Sequence, residues 1–169
     1  MAMTQVQPGR LAADHNGPLV VFLIGMRINH FHKVGKWLPV VRSMGPMLNE
    51  LYRDPASGFL GAETLLQPWR TIMLVQYWRD FDSLERYARA RDRQHWPAWT
   101  AFNRAVGNDG TVGIYHETYC VPQDGHESIY ANMPPFGLGK VMGTAPATGS
   151  RLTARLRMKA VAGTDDAGI

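Results

Sequence analysis

Six histidines and a single cysteine are the side chains best suited to chemistry near neutral pH. His95 stands out by its setting. It precedes Trp96 and Pro97, where a helical pattern breaks and restarts, and such a break can aim a side chain inward. An imidazole there can work as a general acid or base, or as an axial ligand of a haem iron. A helix cap or a surface position beside the proline accounts for it as well. His116 and Glu117 are adjacent in an alternating run, Thr111 to Val121. Neighbours in a strand point to opposite faces, so these two cannot line one pocket unless a bulge intervenes. His116 shares its face with Val112, Ile114, Thr118 and Cys120, and Glu117 lies with Tyr115 and Tyr119. A histidine among apolar neighbours is commonly a hydrogen-bonded core residue. A carboxylate flanked by tyrosines is more unusual, and burial would raise its pKa toward that of a working base.

His30 and His32 have the spacing that lets two imidazoles on an extended segment point the same way toward a metal. No third ligand follows, and the segment reads as a loop, so a metal centre is not expected. Cys120 has no base close in sequence and reads as a core thiol. No glycine-rich dinucleotide fingerprint follows a strand and no phosphate loop is present, so no motif indicates flavin or nicotinamide.

The elements that must position these groups are legible. Leu19 to Arg27 is a continuous β-branched and aromatic run, a buried strand. Trp37, Val40, Val41, Met44, Leu48, Leu51 and Tyr52 recur at helical spacing, with Pro39 suited to a first turn, a kink or break expected at Gly45-Pro46, and an end at Asp54-Pro55. Strands follow over 58–66 and 70–78, with a turn at Pro68-Trp69. Asp82 stands three residues before Glu85 and is expected to cap a second helix. That helix is reset at His95 and continues over 98–106. Asn108-Asp109-Gly110 turns into the strand over 111–121, and 127–133 reads as an extra strand. The order β-α-β-β-α-β is the ferredoxin-like arrangement, an α+β sheet with both helices on one face. Strand one is apolar on both faces, so the open face of the sheet calls for a second copy, a homodimer.

Length and composition agree. The chain has 169 residues, room for one domain, and 45% of them are hydrophobic. No apolar run reaches the roughly 18 residues of a membrane span, and no hydrophobic leader segment is visible, so a cytoplasmic protein is the expectation. Residues 1–17 read as a flexible arm, 18–139 as the folded domain and 140–169 as a disordered tail. Of the net charge of +4, residues 140–169 supply +3 (five basic, two acidic) and 1–139 only +1 (13 basic, 12 acidic). Arg86, Arg89, Arg91 and Arg93 are interleaved with Asp82, Glu85 and Asp92, a solvated helix face rather than a nucleic-acid surface. The stiff segment 132–139, with two prolines and two glycines, suits a lid, a strap or a plain surface connection.

Several long stretches together carry a resemblance: VVFLIGMRINHFHKVGKWLPVVRSMGPMLNEL (20–51), LVQYWRDFDSLERYARARD (74–92), HWPAWTAFNRAVGNDGTVGIYHETY (95–119) and IYANMPPFGLG (129–139). They resemble a bacterial and fungal monooxygenase-like family, so called after a polyketide monooxygenase of the fumagillin pathway. Arg27 and Asn29 fall in its signature. Arg27 could pair with Glu117 or anchor an anionic substrate. The resemblance implies a dimeric α/β barrel, a superfamily whose members include cofactor-free oxygenases, haem-binding dehydratases and peroxidases, and small-molecule isomerases. It implies oxygenation of a hydrophobic or aromatic small molecule in a pocket between sheet and helices. His95 or Glu117 would be the base, with Trp78, Asn103, Tyr115 and Tyr119 orienting the substrate. A haem enzyme with His95 or His116 as axial ligand, and a non-catalytic binding protein, are the alternatives.

Overall fold

The computed structural model describes residues 5–90, 100 and 109–159. In chain order the elements are β1 (Gln7–Ala13), β2 (Leu19–Ile28), α1 (Val34–Arg53), β3 (Phe59–Gln67), β4 (Thr71–Trp78), α2 (Phe81–Arg89), β5 (Val112–Val121), β6 (Tyr130–Met133), α3 (Gly137–Met142), β7 (Thr144–Pro146) and α4 (Ala154–Arg157). They form two compact units, one from Val20 to Tyr119 and one from the two ends of the chain.

The Val20–Tyr119 unit holds a four-stranded sheet of order β3-β4-β2-β5. β4 runs antiparallel to both neighbours, with Val20 opposite Trp78, Phe22 opposite Gln76 and Met26 opposite Ile72. This is the ferredoxin-like order expected from the sequence. Even-numbered residues of β2 and β4 face the helices. At one end Val20, Phe59 and Trp78 pack with Leu51 of α1 and Leu84 of α2. At the other, Met26, Ile28 and Val112 pack with Trp37, Val40, Val41 and Met44 of α1.

α1 departs from expectation. It runs 20 residues without a break, so Pro39 is not in the first turn and Pro46 lies in the interior. Each proline deprives a carbonyl one turn earlier of its donor. The apolar stripe that reaches both ends of the sheet outweighs that cost. α2 begins earlier than expected, and its cap is Asp80, whose Oδ1 accepts from the Ser83 amide at 2.6 Å. Asp82 sits inside the first turn. Hydrogen bonds from Ser83, then from Arg79, hold the Asp80 carboxyl down at about 2 against its ordinary 3.8. Asp80→Ala is expected to cost about 1 kcal/mol in urea unfolding at pH 7. Because the folded-state pKa is the depressed one, that difference is complete above the unfolded value and fades as pH falls toward 2.

The second unit corrects the reading of both termini. Gln7–Ala13, assigned to a loose arm, is the middle strand of a sheet of order β6-β1-β7. β7, α4 and the second half of α3 lie in the stretch assigned to a disordered tail, of which residues 140–159 are described. β1 pairs antiparallel on both sides, Leu11 meeting Tyr130 on one edge and Pro146 on the other. Its stability comes from two ladders of backbone hydrogen bonds and the burial of Ala12 and Ala13. β6 is a shorter version of the expected extra strand. The 132–139 segment is packed only at its end: Asn132, Met133 and Phe136 are exposed, whereas Gly137, Leu138 and Gly139 are buried, and the Gly139 amide donates to Tyr130 Oη at 2.9 Å.

Candidate active site

The helix-facing surface of the four-stranded sheet carries one transverse row of chemical interest. Ala62 of β3 is opposite Gln76 of β4, and Gln76 is opposite Phe22 of β2. The imidazole of His116 on β5 lies 5.7 Å from the Phe22 ring. With strands about 4.8 Å apart, Gln76 and His116 stand roughly 10 Å from each other across an aromatic floor. Gln76 is the polar residue of an otherwise apolar strand face and is buried. Its Oε1 accepts from Trp78 Nε1 at 3.0 Å, which fixes the amide and aims its Nε2 donors elsewhere. Those donors have no partner among the described residues. His116, read as a core histidine by its neighbours, is exposed, and its ring has no partner among the described residues beyond its contact with Phe22. A donor at one end and a proton acceptor at the other suit a flat molecule with a polar group at each end.

Trp78 itself is fully buried. It packs edge-on to Phe59 at 5.3 Å and against Tyr87 at 5.7 Å, so its influence on a bound molecule runs through Gln76. Gln76 was missed in the sequence, although a lone amide in the run from Arg70 to Trp78 was the available signal.

Tyr115, Glu117 and Tyr119 lie on the opposite, open face, as the alternation of β5 requires. Tyr119 Oη donates to Glu117 Oε2 at 2.7 Å, and this carboxylate raises the tyrosine's pKa. Glu117 is exposed in the chain, so the burial that would make it a base is not supplied by its own unit. Tyr115 donates to Met73 Sδ and lies on Gly25, where a Cβ would come within 2.5 Å of its ring. Any larger residue at position 25 would displace that tyrosine. Arg27 is exposed on the same face with Gly113 beside it. Glu117 is four residues further along β5, about 13 Å away, so the anticipated Arg27–Glu117 pair does not form.

His30 and His32 contact each other edge-on at 5.8 Å. Among the described residues no group of three His, Cys, Asp or Glu side chains converges to hold a metal ion. Cys120, read as a core thiol, is exposed. His95 and Asn103 lie outside the described residues.

Comparisons with known proteins bear on both family and fold. A curated relative, the Monooxygenase af470 of Aspergillus fumigatus, is 28% identical over 137 residues, 73% of this chain and 46% of its own. The chain thus spans less than half the length of that relative. Among solved structures, an aldoxime dehydratase in complex with butyraldoxime superposes with a TM-score of 0.64 at 17% identity, over 84% of this chain and 41% of its own. A cofactor-independent oxygenase from Streptomyces nogalater matches at 15% identity with a TM-score of 0.46, over 63% of this chain and 96% of its own. The dehydratase match is one of fold. The description Monooxygenase af470-like fits residues 19–138, most of the chain and all four strands of the larger sheet. By that match the chain belongs to the Monooxygenase af470-like family.

Proposed function

We propose that this protein oxygenates a hydrophobic or aromatic small molecule held against the Gln76–Phe22–His116 row. The observation that carries this is the pairing of an unpartnered imidazole with an oriented amide across an apolar floor. His116 takes a proton from an acidic O–H or C–H of the substrate, and the Gln76 amide donates to the oxygen on which the anion's charge gathers. The anion passes electrons to dioxygen. One oxygen atom enters the substrate as a carbonyl and the other leaves as water with the two hydrogens of the oxidised carbon. His95 and Asn103 remain proposed as second base and orienting group, and Tyr115, Glu117, Tyr119 and Arg27 as groups that act from the open face once it is covered. Oxygen uptake with polycyclic phenols and anthrone-like compounds tests this reading. Uptake by the wild type without added cofactor supports it, and no uptake across such a panel counts against it.

A haem reading rests on the same imidazole, because a ring nitrogen without a partner is also what an axial ligand needs. Haem would supply an iron that binds the substrate's oxygen or nitrogen, and the chain's part would be His116 and the apolar wall beside it. A Soret band in protein from haem-supplemented cells that is lost in His116→Ala decides for haem. A protein that stays colourless with added haem decides against it.

The open face is proposed to be the homodimer interface. Val21, Leu23, Met73, Val75 and Tyr77 line it and are only partly covered within the chain. Leu23→Glu places a charge at its centre and is expected to turn a sedimenting dimer into a monomer. A wild type that sediments as a monomer at micromolar concentration, or a variant that stays dimeric, would overturn this.

A further inference from the structure

The unit built from the two chain ends contains a cavity of about 90 Å³ that the oxygenase reading does not use. Its wall is polar and rich in nitrogen: His15, Asn16, His126, Ser150, Arg151 and Lys159. The two imidazoles stack, with ring centres 5.5 Å apart and planes within 7° of parallel. The Nε2 atoms of both are buried and make no hydrogen bond. Two such orphans side by side are costly unless something supplies their partners.

The charges around them are unevenly balanced. Arg157, nearly buried at 7% side-chain exposure, also lines the cavity, but its charge is taken up by Glu127 at 2.8 Å. Its Nη1 is tied to the carbonyls of Arg151 and Leu152. Arg151 is paired with Asp14. Asp124 acts on His126 from the neighbouring turn. Lys159 has no carboxylate partner among the described residues. The Gly17 backbone favours the charged form of His126. A neutral imidazole carries a proton on one nitrogen only, so both ring nitrogens can donate only once the ring takes up a proton.

We infer that this cavity binds a small oxyanion, a sulfate- or phosphate-like group or a carboxylate, between Lys159, Arg151 and the His15–His126 stack, and that a proton is taken up on binding. The anion's oxygens give the imidazole nitrogen the acceptor it lacks, and its charge compensates both the lysine and the new imidazolium. Burial first, then the neighbouring His15, keeps His126 below its ordinary pKa while the cavity is empty. An anion reverses that bias. Affinity then falls by about tenfold for each unit of pH between the free and the bound pKa.

The test is calorimetric titration of the full chain with sodium sulfate and, separately, sodium acetate, in two buffers of different ionisation enthalpy at pH 6.0 and 7.5, with chloride as an ionic-strength control. Sulfate and acetate stay ionised over this range, so any proton taken up belongs to the protein. The expected result is saturable binding of at least one of them, about tenfold or more tighter at pH 6.0, with close to one proton absorbed. Preference for sulfate assigns a tetrahedral group and preference for acetate a carboxylate. His126→Phe keeps a ring in the stack and should abolish proton uptake, and Lys159→Ala should weaken binding at both pH values. Both variants sit in the cavity, so unchanged circular dichroism and oligomeric state are required of them. Heats no larger than those of chloride, or binding that neither variant nor pH alters, would overturn the inference.

Discussion

Trp78→Ala is expected to destabilise the protein by about 3–5 kcal/mol and lower its Tm by about 10 °C. Trp78 has no exposed surface and joins strands β2, β3 and β4 to α1 and α2: Phe59 lies at 5.3 Å, Tyr87 at 5.7 Å, Val20 directly opposite on β2, and Leu51 of α1 in the same cluster. Truncation leaves a cavity the size of an indole where three strands and two helices meet, and that space cannot collapse without moving the sheet. It also strips Gln76 Oε1 of its donor. Trp78→Phe separates the two costs. It keeps most of the apolar volume and removes the N–H, so about 1–3 kcal/mol is expected from the unpaired amide oxygen beside a smaller packing loss. Adding Gln76→Leu to Trp78→Phe should recover much of that loss, since removing both partners leaves no orphan. Urea unfolding of the four proteins reads this directly. A double variant no more stable than Trp78→Phe would show that the indole–amide bond does not carry the difference.

The larger unit was legible in the sequence because its signals are strong and local. β2 and β4 are predominantly apolar strands, and the stripe from Trp37 to Leu51 has helical spacing over four turns. The opposed faces of His116 and Glu117 followed from alternation alone, and the structure separates them accordingly. What failed was punctuation. Pro39 and Pro46 read as boundaries because proline's local cost is visible in the sequence and the tertiary packing that offsets it is not. Asp82 was preferred to Asp80 for its spacing to Glu85, although Asp80 stands three residues before Ser83, the amide it caps. The smaller unit was illegible for a different reason. β1 is held mainly by backbone pairing with segments more than 115 residues away, such as Tyr130 and Pro146, and short strands with little apolar alternation leave no mark that a one-dimensional reading can find. His15 and His126 meet only through that pairing, so their stack could not be anticipated.

His116→Gln is expected to lower the rate of oxygenation by about 10²–10⁴-fold, with the smaller change falling on KM. Glutamine preserves a polar side chain of similar reach beside Phe22 but cannot take a proton. A role in binding would therefore survive the change and a role as base would not. The pH profile distinguishes them further. With His116 as base, the wild-type rate falls as acid protonates the imidazole, and that limb disappears from the residual activity of the variant. Gln76→Leu tests the other end of the row. The amide is held by Trp78 and donates to charge that develops only as the substrate ionises, so its loss should cost about 10–100-fold in kcat with little change in KM. Leucine also leaves the Trp78 N–H unpaired, so Gln76→Met and thermal unfolding of each variant guard against reading a folding defect as catalysis. If His116→Gln keeps full activity and an unchanged acid limb, the base lies elsewhere and His95→Gln becomes the decisive variant. If both ends of the row matter but their effects multiply without coupling, donor and base act on separate polar groups of the substrate. That is the outcome their separation of roughly 10 Å across Phe22 requires.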